Sequence, residues 1–342
     1  MPVARRVSIK DVAQRAGVSW KTVSNVVHDR PVVRPDTRER VLAAIEELGY
    51  VPNLAARDLR GGPTRTLSLV VPELSNPYFA RLAERMQAAA REREHSVSVE
   101  VSLGSAAVER MHVLGQVPRP VDAVIISPAA LSAADLVARR SGPRVVLLGE
   151  RIPAAENVVH VAIDNIASAA DVVRHLVDAG RSRLLFLGAE RTPPSTGADR
   201  TIGLRAAIRF AGLDADPQLL RPVEHWNREG GRDAALAALD EGLEIDAVVA
   251  ANDLLGIGAL EALRSRGISV PEEVAVVGWD DIPDAAFAVP PLSSVAPDID
   301  ALVQAALDAA LAPEGDHGGE GGPAPEIVVP HRLLVRGSSA IS

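Results

Sequence analysis

From Thr66 onward the chain repeats one pattern: a short run that is apolar throughout, then a longer amphipathic stretch. The runs are LSLVVP (67–72), VSVEVSL (97–103), VDAVIISP (121–128), VVLLGE (145–150) and VVHVAID (158–164). A second series follows, RLLFLGA (183–189), DAVVAAND (246–253) and VAVVGWDD (274–281), with a weak candidate strand at 219–226. Strands apolar on both faces and separated by helices belong to parallel sheets covered on both sides. The repeat is too long for one doubly wound sheet. The expected fold class is therefore α/β, with two parallel-sheet subdomains flanking a cleft.

What precedes Thr66 differs in charge. The 342 residues hold 36 basic and 45 acidic side chains, a net of −9. Residues 1–60 alone carry eleven Arg/Lys against seven Asp/Glu, a net of +4, leaving −13 for the rest. A basic head on an acidic body points to a small polyanion-binding module joined to a larger domain with another task, although a solvated charged face has the same composition. The absence of cysteine removes disulfides, thiol chemistry and cysteine-ligated metals. No apolar run reaches about 18 residues and no signal peptide opens the chain, so a soluble, cytoplasmic protein with no membrane contact is expected.

The head reads as three short helices. Ser8 caps the first, with Asp11 closing a capping box and Ile9, Val12, Ala13 and Ala16 as its apolar stripe. Gly17 provides a corner, and Ser19 caps a second helix running to Val27. Asp36 is expected to cap a third, with Glu39 in the box, Val41, Leu42, Ile45 and Leu48 inward and Gly49 as its stop. Two helices about a glycine turn, braced by a third, match a helix-turn-helix, whose second helix enters the major groove. There Trp20, Lys21 and Asn25 are placed to meet base edges, and Ser19, Thr22 and Ser24 to meet phosphates. A purely structural three-helix unit is the alternative.

In VPNLAARDLRGGP, Asn53 can cap a helix too short to persist alone, ended by Gly61-Gly62-Pro63. Leu59, flanked by Arg57 and Arg60, suits a minor-groove wedge; a plain linker is the competing reading. The organisation expected is thus 1–50 for DNA, 51–63 as hinge helix and linker, and 64–342 as core. Within the core, one subdomain takes about 64–162 and 293–325, the other about 163–292 and 326–342.

Open α/β sheets bind ligands beyond the carboxyl ends of their strands. Asn76, Tyr78 and Phe79 stand at one such end, Asp164 at another, and Asn252, Asp253 and Asp280 at two more; Arg200 begins a helix and Trp226 follows the weak strand. Carboxylates, amides and an arginine among aromatic plates fit a small polyhydroxylated ligand, a sugar first, with purines and other polar metabolites matching the same inventory. Strand-end Asp and Asn also serve as plain helix caps. An α/β enzyme and a free-standing solute-binding protein are the other functions weighed. GIGALE (256–261) lacks the third glycine of a dinucleotide turn, no GxxxxGK[ST], GxSxG or HExxH occurs, and the histidines are scattered; no enzyme activity, metal or cofactor is expected.

IKDVAQRAGVSWKTVSNVV, TRERVLAAIEELGYVPNLAARDLR, LVVPELSNPYFARLAE, AANDLLGIGALEAL and VPEEVAVVGWDDIP closely resemble the LacI/GalR family of bacterial repressors, nearly end to end. The resemblance implies a helix-turn-helix, a hinge helix and a core like type I periplasmic sugar-binding proteins. It also implies a homodimer on a near-palindromic operator, released or tightened by a small-molecule effector. By position it puts Trp20, Lys21 and Asn25 on bases, Leu59 in the minor groove, and Asn76, Phe79, Asp164, Thr196, Arg200, Trp226, Asn252, Asp253 and Asp280 around the effector. The chain departs from the pattern at Gly149-Glu150-Arg151, where many relatives carry Asp-Arg after the fourth strand, and its tail HRLLVRGSSAIS has no leucine heptad for a tetramer. The Gly/Pro-rich, acidic 312–326 reads as a mobile loop.

Overall fold

The computed structural model describes residues 7–27, 30–50, 64–137, 139, 142–152, 158–190, 195–214, 216–313 and 326–340. The hinge segment with Asn53, Arg57 and Leu59, and most of the loop at 312–326, lie outside them. The chain divides into Met1–Thr64 and Arg65–Ser342.

The first unit holds three helices, α1 (Ile9–Ala16), α2 (Trp20–Val27) and α3 (Pro35–Leu48). The capping box at α1 forms as expected: the Asp11 amide donates to the Ser8 hydroxyl, and Asp11 Oδ2 accepts from the Ser8 amide at 2.8 Å. Gly17 ends α1 at φ 65°, a left-handed corner that leaves only Val18 and Ser19 before α2. The third helix starts differently from expectation. Its N-cap is Arg34, without a side-chain bond, and Asp36 lies inside the first turn behind Pro35. Proline at the first position needs no partner for the hydrogen it lacks, so the helix begins without a polar cap. Leu42 is likewise turned out to solvent, and Ala44 takes its place inside beside Val41. Val12, Ala13, Ala16, Val23, Val26, Val41 and Ala44 form the small core.

In the second unit two six-stranded sheets form. The first comprises β1 (Thr66–Val71), β2 (Ser96–Val101), β3 (Ala123–Ile126), β4 (Arg144–Leu148), β5 (Val158–Ile163) and β11 (Glu326–Val329), ordered β11-β5-β4-β3-β1-β2. The second comprises β6 (Leu184–Leu187), β7 (Leu220–Arg221), β8 (Ala247–Ala250), β9 (Ala275–Trp279), β10 (Ser293–Pro297) and β12 (His331–Leu334), ordered β12-β10-β9-β8-β6-β7. Among the described strands every pairing is parallel except β10 with β12. Alternate side chains enter different cores. Leu67, Leu69 and Val71 join one apolar cluster while Val70 joins another, and Leu184 and Phe186 part likewise from Leu185 and Leu187.

The helices are α4 (Pro77–Glu92), α5 (Ala106–Val113), α6 (Ala133–Val137), α7 (Asn165–Asp178), α8 (Thr196–Phe210), α9 (Arg228–Asp240), α10 (Asp253–Ser265), α11 (Pro283–Phe287) and α12 (Ile299–Leu311). Strand pairing corrects the expected subdomain limits. Ser293–Pro297, assigned to the first subdomain, pairs with β9 of the second sheet; Glu326–Val329, assigned to the second, pairs with β5 of the first. The chain therefore changes sheets near 164, 298 and 330, and the last two crossings are joined by the Asp298 amide donating to the Pro330 carbonyl at 2.9 Å.

Candidate functional site

On the head, α2 carries the residues expected to meet DNA. Its N-cap Ser19 accepts from the Thr22 amide at 3.2 Å, and the two hydroxyls lie 2.9 Å apart. Val23 and Val26 anchor the buried face, while Trp20 stays 39% exposed, with the Lys21 ammonium 5.9 Å from its ring centre. Ser24 and Asn25 are half-buried on the flank. A short helix with an exposed amphipathic edge, fixed from behind by α1 and α3, is the shape a major groove accepts.

In the core, Tyr78 and Asp280, at two strand ends, act on Arg200. This residue, one turn into α8, is 7% exposed. Its Nε donates to Asn165 Oδ1 at 2.9 Å, Nη1 donates to the Ala251 carbonyl, and the guanidinium lies over Trp279, 5.2 Å from the ring centre. Trp279 is fully buried at the end of β9, its indole N–H donating to Ser168 Oγ at 3.3 Å. Burial lowers the affinity of Arg200 for its proton, opposed by the charges of Asp280, Glu150 and Glu190 and by Tyr78. Tyr78 is pushed upward by burial and then by Asp280. Burial likewise raises the carboxyl of Asp280 to about 6, with Arg200 pulling it down. Asp280 follows β9 at φ 99° and Asp281 at φ 49°, a left-handed pair that Asp tolerates better than most residues. Arg81, on α4, donates to the Asp281 carbonyl at 3.1 Å, linking the two halves of the core.

The other candidates separate into neighbours and braces. Phe79 packs edge-on to Tyr78, with ring centres 5.2 Å apart. Trp226 is half-buried against the core, and its carbonyl accepts from Asn252 Nδ2 at 3.1 Å. Asn252 also caps α10 through the Leu255 amide, Asn76 caps α4 through the Tyr78 amide, and the exposed Asp164 caps α7 through the Ala167 amide. Asp253 is not at the cleft surface. It is fully buried, accepting from the Ile282 amide at 2.8 Å and the Ser294 hydroxyl at 2.7 Å. It ties α10 to the Asp280-Asp281 corner.

Three contributors are not evident from the sequence: Glu150, Glu190 and Trp279. Trp279 sits beside a named candidate, in the run GWDD, so adjacency is its only signal, whereas Asn165 stands with Asp164 among the polar residues that end their strand. Glu150 follows β4 and accepts from both the Thr196 amide, at 2.7 Å, and the Thr196 hydroxyl. Arg151 instead turns to Glu326, at the sheet edge.

A helix-turn-helix head on a two-sheet core with polar strand ends converging on one cleft defines a ligand-responsive DNA-binding regulator. The chain belongs to the lacI family of bacterial regulatory proteins, a family of DNA-binding transcriptional regulators. The pattern described as "Bacterial regulatory proteins, lacI family" matches residues 8–53, and the "Periplasmic binding protein-like domain" matches 173–339. The HTH-type transcriptional regulator MalR of Streptomyces coelicolor is 34% identical over 345 residues, 97% of this chain and 96% of that protein. AscG of Escherichia coli (strain K12), also an HTH-type transcriptional regulator, is 34% identical over 86% of this chain and 88% of its own length. The structure of a CelR–cellobiose complex superposes with a TM-score of 0.67 at 31% identity, covering 97% of this chain and 100% of that one. A lac repressor dimer bound to operator and the anti-inducer ONPF shares the fold, with a TM-score of 0.82 at 23% identity over 98% and 100% of the two chains. Among the described residues no helix is long and apolar enough to cross a membrane.

Proposed function

We infer that this regulator is a non-enzymatic, cytoplasmic repressor. It acts as a homodimer on a near-palindromic operator, and its DNA affinity is set by a sugar bound in the cleft around Arg200. The observation that carries the reading is the convergence of Arg200, Tyr78, Asp280 and Trp279 within the core. A buried guanidinium, a phenol and a carboxylate offer donors and acceptors to a ring of hydroxyls, and half-buried aromatic faces such as Trp226 receive its C–H surface. The CelR structure, with cellobiose bound, supports a saccharide in a core of this kind.

On this reading Trp20, Lys21 and Asn25 read bases, Ser19, Thr22 and Ser24 position the head on phosphates, and Asn53, Arg57 and Leu59 act at the hinge. The effector biases two arrangements of the core halves. A difference of about 150-fold in its affinity for them supplies roughly 3 kcal/mol of coupling, enough to shift operator occupancy.

The test has two stages. Duplexes bound by the full-length protein are selected from a random pool, and a panel of sugars and nucleobases is screened by thermal shift. A sugar is expected to raise the melting temperature and to change the affinity for the selected duplex. Trp226→Ala should lose that response and keep basal DNA binding. Nucleobases acting where no sugar does would overturn the saccharide assignment.

A further inference from the structure

The first turn of α8 has the makings of an anion site. It is the start of a 15-residue helix, with a buried arginine, Arg200, one turn in. Phosphates and carboxylates collect at such places because the amides and the helix dipole both favour negative charge. In this protein the place is already taken. Glu150, from the end of β4 in the other sheet, lays one carboxylate oxygen on the Thr196 amide at 2.7 Å and the other on the Thr196 hydroxyl. Glu190 lies across the same turn, so close that a side chain added at Gly197 would meet its carboxyl carbon at 2.7 Å, and it accepts from the Ser195 hydroxyl. The charges of Asp280, Glu150 and Glu190 all act on Arg200.

We propose that Glu150 is a specificity-determining residue of the cleft: its carboxylate fills the anion position at the α8 N-terminus, so the cleft admits uncharged polyhydroxylated effectors and rejects phosphorylated or carboxylated ones. The proposal rests on the reading of this cleft as the effector site. Three considerations carry it. Both donor groups that Thr196 offers are spent on Glu150, so an incoming phosphate finds neither of them free. Both carboxylate oxygens are held by Thr196 and the residue is half-buried, so it cannot swing into water without breaking both bonds. An anionic group beside Arg200 would add a further negative charge near three half-buried carboxylates, where like charges repel more strongly than in bulk water. A neutral hydroxyl incurs none of this repulsion and can donate to the same carboxylates.

The test uses the full-length protein and three probes, inorganic phosphate, glucose 6-phosphate and glucose, at fixed ionic strength with chloride as balance. Binding is followed by calorimetry and by melting temperature in wild type, Glu150→Gln and Glu150→Ala. Wild type is expected to show no binding of either phosphate at millimolar concentration. Glu150→Ala, which vacates the position, should bind both at least about tenfold more tightly than wild type, a change of roughly 1.4 kcal/mol. Glu150→Gln, which removes the charge and keeps an acceptor for Thr196, should fall between them, and it decides the matter if the alanine variant does not fold. Adding Thr196→Val should reduce the gain by removing one donor. Wild type binding the phosphates as tightly as the variants would overturn the proposal, and so would exclusion that persists in both variants. Phosphate reports on Glu150 without any cognate effector. A failed sugar screen would sink the functional reading and leave this result standing.

Discussion

At the residue scale the core keeps a costly charge in the cleft where a ligand is proposed to bind. Asp280 is raised to about 6 by burial, against 3.8 for a free side chain. The folded protein therefore binds a proton more tightly than the unfolded chain between those values, and the ionised carboxyl weakens the fold. The sign is opposite to that of an ordinary ion-paired aspartate: stability falls as the pH rises through this window, by roughly 3 kcal/mol when complete. Asp280→Asn, which tolerates the left-handed φ of 99°, is expected to raise the melting temperature at pH 7 to 8, with the gain shrinking toward pH 4. A gain that does not change with pH would remove Asp280 as the source. The Asp280 position was legible from its place after VAVVGW. Its energetic state was not, because burial comes from neighbours far away in the chain.

At the element scale, the strand-rich runs and most helices follow from local pattern, while some contacts that hold them together do not. α9 and α10 cross at glycines. A Cβ on Gly258 would stand 2.1 Å from the Arg228 carbonyl oxygen, and one on Gly231 2.2 Å from that of Leu255. Backbone cannot give way as a flexible side chain does. Gly258→Ala is therefore expected to destabilise the core by about 3 kcal/mol, read as a fall of several degrees in melting temperature, and an unchanged melt would mean the helices part freely. The third helix of the head shows the converse limit. DTRE offered a capping box and the periodicity offered Leu42, yet Pro35 set the start two residues earlier, with Arg34 rather than Asp36 as N-cap, and Ala44 faced inward. A favourable local motif yields when a neighbouring residue fixes the backbone by itself.

At the scale of the whole molecule, charge is divided: +4 in residues 1–60 and −13 beyond. DNA affinity arising from the head should be strongly salt-dependent, since each phosphate contact releases bound counterions. A dimer making six to ten such contacts is expected to lose about 10³–10⁵ in affinity between 50 and 200 mM salt. Fluorescence anisotropy on a selected duplex measures this directly, and a flat salt response would contradict a basic head as the binding surface. The acidic core should meanwhile repel the duplex and favour contact through the head.

By itself the sequence determined the helix-turn-helix, the parallel α/β class, the number of sheets and the polar strand ends proposed to receive a ligand. Those depend on hydrophobic period, glycine corners and charge, which are local or additive along the chain. Which late segment joins which sheet was decided only by the tertiary structure. β11 and β12 are short edge strands that follow crossings at 298 and 330, and β10 pairs with both β9 and β12, so these partners are chosen by pairing over long separations. The same holds inside the cleft. Asp253 carried the look of a ligand contact and became a brace, whereas Glu150, a plain residue after a strand, was carried across to α8, where the two halves of the core meet. Residue type marks what a side chain can do, and packing decides what reaches it.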